Sequence, residues 1–445
     1  MTMHRISARR PPRPSRPPLP SRPRRSFLPP GLSRPGRPAG TVRARRDRPG
    51  PLPLAALWVL TRAGMLLLLW RDTLGIGGIG REVHVLYQHW YEQLADGAFP
   101  LNDVTWQYPP GAGLVILAPG AVPGLTYYEA FVGLTLLADA AVTVALARAG
   151  GSGAWYWTGG LPLLLHLPLA RYDVQVTALA VAALLALRTG RHRTGGVLAG
   201  IGALVKVWPA LALLGTPRGR ATRRAWTSAA VAGAALCGAL AFALPHALDF
   251  LRHQGNRGVQ IESLGGTALS LARLTGWPGG IEYRYGAFEF TGPYVSTVAN
   301  VALILTVAAF GWLLLWRLRS RRWNAATPLD TALAAVLLFT VTSRVISPQY
   351  LVWLLGLAAV CLTCRETTQR PVALLLLPAA ALSALAYPVL YEDLLAVTPL
   401  GCGLMVARNG LLVAAALLSC RRLWTATVTP EPAPHPAPAP EPEPA

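Results

Sequence analysis

The chain has 445 residues, of which 53% are hydrophobic and 14% are charged, and its formal net charge is +21. A soluble domain carries about 25% charged residues, so the composition excludes a soluble globular protein and predicts a polytopic membrane protein. The first 50 residues hold fourteen Arg against one Asp, a charge of +13, which leaves +8 for the rest of the chain. Most of the basicity therefore lies in the N-terminal segment.

Both ends of the chain are predicted to be disordered tails. Residues 1–51 are rich in Pro and Arg with few large apolar side chains, so they cannot form a core. Such a tail could contact anionic lipids or nucleic acid, but a cytoplasmic extension that sets orientation is favoured, and no nucleic-acid partner is expected. Residues 425–445 contain Pro alternating with Ala and Glu, which is typical of a polyproline-like tail. The predicted membrane domain is therefore 52–424.

Twelve apolar runs in this domain approach the roughly 20 residues that a helix needs to cross a bilayer. They are 54–70, 109–125, 127–148, 154–170, 173–188, 195–214, 225–245, 294–316, 328–342, 351–364, 371–389 and 402–420. We expect an all-α bundle of about ten to twelve transmembrane helices. Run 154–170, with its Gly and Pro residues, is expected to be re-entrant or to lie along the surface. Run 195–214 is expected to break near Lys206, as a re-entrant hairpin or as two short crossings.

The distribution of loop arginines predicts the orientation, because basic loops favour the cytoplasmic side. Both termini are predicted to be cytoplasmic, in a plasma or inner membrane. The loops predicted to be outer are 71–108, 246–293, 343–350 and 390–401.

The first outer loop contains a helical stretch from Glu82 to Ala95. One stripe of this helix is aromatic and apolar, formed by Tyr87, Tyr91 and Leu94 with Trp90 beside them. The pattern predicts an amphipathic helix on the membrane surface with its aromatics toward the lipid interface. Glu82 and Glu92 are then the acids most exposed to a cavity, with Asp72 and Asp103 at the ends of the loop. Simple solvation of any one of these acids is the alternative.

Polar clusters in so apolar a chain mark places where water or a substrate meets the protein. Trp106 and Gln107 precede Tyr108-Pro109-Pro110, where planar side chains could stack on a sugar while the prolines begin a helix. Arg171 and Asp173 lie together at a span boundary, as a ligand site or as an interfacial ion pair.

Two further clusters combine an arginine with hydroxyl, amide or carboxyl neighbours. Arg257 precedes Glu262, and Arg344 precedes Gln349. Arginine suits bidentate phosphate recognition, and Arg344 has no carboxylate beside it in the sequence, which favours an anionic ligand. Lys206 lies inside an apolar run and needs a partner. So does Arg62, although snorkelling to a headgroup explains it equally well.

Several motifs are absent from the sequence: a glycine-rich phosphate loop, H-E-x-x-H, a D-x-D pair, and a Cys or His cluster at metal-ligand spacing. We therefore expect no cofactor and no metal site. No loop is long enough for a soluble nucleotide-sugar domain, so an activated donor would have to arrive through the membrane.

Together these motifs carry a family resemblance. An acid soon after the first span, followed by Gly97-Ala-Phe-Pro100 and Trp106-Gln-Tyr-Pro-Pro110, resembles the GT-C superfamily of polyprenyl-phosphate-sugar-dependent glycosyltransferases. The pattern is most similar to glycosyltransferase family 87, which includes bacterial α-1,2-mannosyltransferases. The motifs that recur in similar order are Arg171-Tyr-Asp173, Val205-Lys-Val-Trp-Pro209, Arg257-Gly-Val-Gln-Ile-Glu-Ser263 and Ser347-Pro-Gln-Tyr350. The likeness covers about 54–420.

The resemblance implies an inverting, metal-independent transfer of a hexose, expected to be mannose, from a polyprenyl phosphate to a cell-envelope glycolipid or glycan. Glu82 would be the catalytic base, although this position usually holds Asp in the family, and Glu reaches one methylene further. Arg257 and Arg344 would bind phosphate. The other candidate substrate-binding residues are Asp173, Arg171, Gln349, Tyr108, Trp106, Lys206 and Glu262. A transporter or flippase of a lipid-linked sugar and a non-enzymatic envelope-assembly subunit are the alternatives.

Overall fold

The computed structural model describes residues 51–100, 103, 105–244 and 258–429, so most of both predicted tails and Arg257 lie outside the described residues. The first half of the membrane domain is helical. Its helices are α1 (Pro51–Arg71), α2 (Gln88–Ala95), α3 (Ala112–Leu117), α4 (Tyr127–Ala149), α5 (Gly153–Gly160), α6 (Asp173–Arg188), α7 (His192–Val205) and α8 (Arg220–Ala243). A π-helical turn, Glu82–Tyr87, leads directly into α2.

In the described part of the second half there are a small sheet and seven more helices. The strands are β1 (Val259–Gln260), β2 (Gly280–Arg284) and β3 (Ala287–Thr291). The helices are α9 (Leu264–Leu274), α10 (Val295–Arg319), α11 (Thr327–Thr342), α12 (Tyr350–Cys361), α13 (Arg370–Ala384), α14 (Tyr391–Leu395) and α15 (Pro399–Thr427). Helix α15 thus continues past the predicted domain boundary at 424.

Six helical segments in the described chain are long and apolar enough to cross a membrane. They are Leu52–Arg71, Tyr127–Ala149, Arg220–Ala243, Val295–Arg319, Arg370–Val389 and Pro399–Thr427. Shorter apolar helices cover Ala112–Ala121, Thr327–Thr342 and Tyr350–Cys361. The predicted all-α polytopic membrane fold is confirmed; the total of ten to twelve crossings, which counts the shorter segments, stays a prediction.

Helix α12 lies at the centre of the bundle. Every residue from Leu351 to Cys361 is buried, and the helix packs against α5, α6, α11 and α13. By contrast, α1, α8 and α10 leave large apolar side chains exposed, such as Leu60, Phe242 and Leu303. Exposed apolar side chains on long helices are what a lipid environment requires, so these three helices form the periphery.

Small residues allow α7 and α8 to pack closely. A Cβ added at Gly196 or Gly200 would collide with the backbone carbonyl of Ala225 or Ala229 on α8. Small residues spaced four apart are the usual device for close approach of transmembrane helices.

Two predicted irregularities are present. Run 154–170 is not one helix, because α5 is followed by two 3-10 turns, Leu161–Leu164 and Leu167–Ala170. Run 195–214 breaks at Lys206, where the backbone is extended before the 3-10 turn Trp208–Leu213.

The helix of the first outer loop is confirmed, but the predicted direction of its aromatic stripe is wrong. Tyr87, Trp90 and Leu94 are each at most 3% exposed. The ring of Tyr87 lies 5.5 Å from that of Phe131 and 5.8 Å from that of Tyr172. The stripe therefore packs onto the protein and covers the ends of α4 and α6, because burial in protein satisfies the same apolar pattern as burial in lipid.

Arg62 does not extend to the lipid headgroups, because it forms an ion pair inside the bundle. Its Nε and Nη2 donate to the two carboxylate oxygens of Asp139, both at 2.8 Å, and Nη1 donates to the carbonyl of Thr158 at 2.7 Å. Both charged residues are at most 2% exposed. This pair joins α1 to α4 and α5 inside the bundle.

The sheet was not predicted from the sequence. Strand β2 pairs antiparallel with β3, and β3 pairs with β1 on its other edge. Tyr285 (φ 52°) and Gly286 (φ 76°) form the two-residue turn between Arg284 and Ala287. Positive φ at both turn residues is the geometry of a type I′ hairpin, and Gly286 adopts it without strain.

Candidate active site

A cavity of about 450 Å³ lies where several loops and helix ends meet. Its lining comes from all four loops that the arginine pattern predicts to be outer. The lining residues are Ile76, Gly78, Ile79, Arg81, Glu82, Val85, Leu86, Arg171, Gln260, Glu262, Tyr283, Gly286, Ala287, Phe288, Ser347, Pro348, Gln349, Tyr387 and Tyr391. This volume is within the usual range of small-molecule sites, about 300–1,000 Å³.

Glu82 and Arg171 form an ion pair in the wall of the cavity. Oε2 of Glu82 lies 3.5 Å from Nη2 of Arg171, and the two side chains are 31% and 8% exposed. Nη1 of Arg171 donates to the carbonyls of Ala170 (2.8 Å) and Ile79 (3.4 Å). Arg171 therefore ties the start of α6 to the first outer loop, and it holds a partly accessible carboxylate beside a fixed cation.

The two acids at the ends of the first outer loop do not line the cavity. Asp72 accepts from the backbone N–H groups of Ile79 (2.8 Å) and Gly80 (2.9 Å). Asp103 accepts from the indole N–H of Trp90 at 2.7 Å and from the backbone N–H of Thr105 at 2.8 Å. These carboxylates fold the loop that carries Glu82.

Glu92 is also directed elsewhere: it is exposed and accepts from the side-chain amide of Gln88 at 3.3 Å. Of the acids predicted for this loop, Glu82 is the one that lines the cavity.

A second carboxylate, Glu262, lies in the cavity wall just before α9. Its Oε2 is 3.1 Å from Nη2 of Arg408 on α15, and both side chains are at most 2% exposed. Burial raises the pKa of Glu262 to about 7, although Arg408 opposes the rise. Asn409 supports the same corner by donating to the carbonyls of Glu262 and Ser263 and to the hydroxyl of Thr267.

Asp173 and Lys206 form a buried ion pair away from the cavity lining. Nζ of Lys206 lies 2.6 Å from Oδ1 of Asp173, which also accepts from the indole N–H of Trp353. The rings of Tyr108, Tyr172 and Trp353 surround Nζ at 4.6–5.5 Å. Cation–π contacts of this kind stabilise a desolvated ammonium. The extended backbone at Lys206 places this ammonium beside Asp173.

Tyrosines cover one part of the cavity wall. Tyr283 comes from β2, Tyr387 from the π-helical turn Leu385–Val389 that follows α13, and Tyr391 from the start of α14. Burial raises the pKa of Tyr283 and of Tyr391. Both therefore present neutral hydroxyl groups at pH 7.

The structure brings four of the residues predicted for the site to the cavity: Glu82, Arg171, Glu262 and Gln349. Tyr108, Asp173 and Lys206 belong to the neighbouring buried cluster.

Two other predicted residues do not line the cavity. Trp106 is 1% exposed and packs against Trp90, Phe99 and Tyr108. Arg344 contributes its backbone carbonyl, which accepts from the N–H of Gln260 at 3.0 Å.

Sequence reasoning missed Arg408, Gln260 and the tyrosines. Arg408-Asn409 stands inside the last apolar run, and a charge in such a run is a usable signal of a polar site. Gln260 links two loops, because its side-chain oxygen accepts from the N–H of Ile346 at 2.8 Å. No local sequence pattern predicts this contact.

Among the described residues, no three His, Cys, Asp or Glu side chains are grouped closely enough to hold a metal ion. The expectation of a metal-independent reaction stays a prediction.

The sequence profile of glycosyltransferase family 87 matches residues 106–348, more than half of the chain. The chain belongs to glycosyltransferase family 87. This family 87 protein is therefore a multi-pass membrane glycosyltransferase. No curated protein matches it at a significant level.

The matched region contains Arg171, Glu262 and the hairpin, and it ends at Pro348, one residue before Gln349. It begins after Glu82, so the family match does not cover that residue.

Proposed function

We propose that this family 87 protein transfers a hexose, mannose in the first instance, from a polyprenyl phosphate to a glycan or glycolipid of the cell envelope, at the outer face of the plasma or inner membrane. The observation that carries the proposal is the Glu82 carboxylate beside the Arg171 guanidinium in one cavity. A base for the acceptor hydroxyl and a cation for a phosphate are the two groups that such a transfer needs.

In the proposed reaction Glu82 accepts the proton of the acceptor hydroxyl as its oxygen attacks the anomeric carbon. The bond between that carbon and the phosphate oxygen breaks, and the polyprenyl phosphate leaves with the electron pair. Attack from the face opposite the leaving group inverts the anomeric centre. No covalent sugar–enzyme intermediate is involved.

Among the described residues, two guanidinium groups line the cavity, those of Arg81 and Arg171. Arg81 is exposed and Arg171 is nearly buried. We propose that they attract the donor phosphate, and that Arg257, which lies outside the described residues, adds a further cation as the sequence predicts. Glu262 and Gln349 supply hydrogen-bonding groups for sugar hydroxyls on the opposite loops.

The proposal is tested by incubating the purified full-length protein with radiolabelled polyprenyl-phosphate mannose and an envelope lipid extract in proteoliposomes. The expected result is label in a new glycolipid and release of polyprenyl phosphate. Matched assays with polyprenyl-phosphate glucose and with a mannose nucleotide identify the donor. Label that crosses the bilayer without a new product would instead identify a flippase, and no label in product with any polyprenyl-phosphate hexose would refute the proposal.

A further inference from the structure

The β2–β3 hairpin has one polar and one aromatic face. On the polar face, Arg284 lies 2.6 Å from Glu282. On the other face, Tyr283 is the register partner of Phe288, and Ile281 is the partner of Phe290. Because side chains alternate along a strand, these four form one continuous apolar stripe.

This stripe extends beyond the core that it covers. At its inner end, Phe290 is 2% exposed and packs in a cluster with Val259, Leu269 and Met405. At its outer end, Tyr283 is 62% exposed and lines the cavity. A large ring with so much free surface at a cavity wall is available to a ligand.

The stripe continues from the hairpin onto α14 and the turn Leu385–Val389 before it. The rings of Tyr283 and Phe288 are 5.2 Å apart, those of Phe288 and Tyr391 are 5.9 Å apart, and those of Tyr391 and Tyr387 are 4.8 Å apart. All four rings line the same cavity as Glu82. These four residues, Tyr283, Phe288, Tyr387 and Tyr391, form the aromatic wall of the cavity.

The hairpin part of the aromatic wall is tied to the segment that carries Glu262. Strand β3 pairs with β1, and the N–H of Ile261 donates to the carbonyl of Phe288 at 3.1 Å. The buried carboxylate of Glu289 accepts from the N–H of Gly258 at 2.9 Å. Since β1 leads directly to Glu262, these backbone hydrogen bonds hold Phe288 next to the segment that carries the Glu262 carboxylate.

We propose that the aromatic wall is the acceptor subsite, and that it stacks against a sugar ring of a glycan acceptor whose hydroxyl points to Glu82. This inference rests on the proposed function. Aromatic faces bind the apolar C–H surface of a pyranose, and the tyrosine hydroxyls serve its polar rim. The charges that a phosphate would need lie elsewhere in the cavity, at Arg81 and Arg171, so the neutral wall suits the uncharged partner of the reaction.

Exposed tyrosines also anchor membrane proteins at the lipid interface. Anchoring is disfavoured for Tyr283 because its ring lies in the same cavity as an ion pair. Tyr294, by contrast, is 72% exposed and does not line the cavity, so it is a matched control.

The test measures donor and acceptor kinetics for Tyr283→Ala, Tyr283→Phe and Tyr294→Ala in the full chain. For Tyr283→Ala we expect the acceptor KM to rise about tenfold or more, as loss of a stacked ring would produce, with the donor KM within about twofold of wild type. Tyr294→Ala should resemble wild type, and Tyr283→Phe, which keeps the ring but loses the hydroxyl, should raise the acceptor KM less than Tyr283→Ala does. An unchanged acceptor KM in Tyr283→Ala, or an equal rise in both KM values, would overturn the inference.

A binding measurement separates this inference from the proposed function. Saturation-transfer NMR with an uncharged α-linked mannose trisaccharide and the detergent-solubilised full chain needs no turnover. We expect signal with the wild-type protein and its loss in Tyr283→Ala. Binding without any transfer would refute the proposed function alone, whereas binding that is equal in both proteins, or missing from the wild type, would refute the acceptor subsite.

Discussion

Oε2 of Glu82 lies 3.5 Å from Nη2 of Arg171, although the two residues belong to segments that are far apart in sequence. Arg171 also binds the carbonyl of Ile79, three residues before Glu82. The cation thus holds both the carboxylate and the loop that carries it, which is the arrangement expected of a base that must meet a substrate at a fixed position.

Replacing Arg171 with Gln should lower kcat about 100-fold, because a small displacement of a catalytic group costs that much. The acceptor KM should change little, since the cavity walls remain, whereas the donor KM should rise because Arg171 also attracts the donor phosphate. The kcat of Arg171→Lys should lie between those of the wild type and Arg171→Gln. A single ammonium cannot replace the planar guanidinium, which contacts two carbonyls and a carboxylate. Steady-state kinetics measure this, with Arg284→Gln as an exposed control. A Lys variant with wild-type kcat would contradict the positioning role.

The Asp173–Lys206 pair should be coupled in stability. Lys206→Met leaves the Asp173 carboxylate buried without its cation, which should destabilise the protein by roughly 3–5 kcal/mol. The double variant Asp173→Asn/Lys206→Met should recover much of this loss, because it leaves no isolated buried charge. Thermal unfolding of the solubilised proteins measures the four members of the cycle. If the two single losses simply add, the pair is not coupled.

Stability should fall as pH rises from about 4.5 to about 7, because of Glu262. Its pKa is raised from an ordinary 4.5 to about 7 in the folded protein, so over this interval the folded state binds more protons than the unfolded state. Unfolding therefore becomes easier with increasing pH and levels off above pH 7. At about 1.4 kcal/mol for each pKa unit, the loss is about 3 kcal/mol.

The measurement compares unfolding temperatures at pH 5 and pH 8. In Glu262→Gln, the part of the fall in stability that Glu262 causes should be absent. In Glu282→Gln, which changes an exposed carboxylate of the hairpin, the full fall should remain. A decline of equal size in the wild type and Glu262→Gln would show that Glu262 does not carry it.

Features with a local cause could be predicted from the sequence. The break at Lys206 follows from Trp208-Pro209, and the first outer helix follows from its own periodicity. Both are present in the structure. Composition was enough to predict a polytopic helical fold. A chain with so few charges suits the bilayer, where a helix satisfies its own backbone hydrogen bonds.

Features that depend on distant partners could not be predicted. Glu262 meets Arg408 across 146 residues, and Arg62 meets Asp139 across 77. The sequence shows that each buried charge needs a partner but not which one. The aromatic stripe of α2 was assigned to the wrong environment for a similar reason, since hydrophobic periodicity does not distinguish lipid from protein. The hairpin did leave a signal, the alternation from Ile281 to Phe290 around Tyr285-Gly286.

The most direct test of the account is turnover by Glu82→Gln, measured beside Glu92→Gln. Glu92 lies on the same helical segment but is exposed outside the cavity, so its replacement should leave turnover intact. Glu82→Gln should lose about 100- to 10,000-fold in kcat, the usual contribution of a general base, and should unfold at the wild-type temperature. Glu82→Asp should keep part of the activity because it retains the carboxylate. Near wild-type turnover by a well-folded Glu82→Gln protein would contradict the assignment of Glu82 as the base.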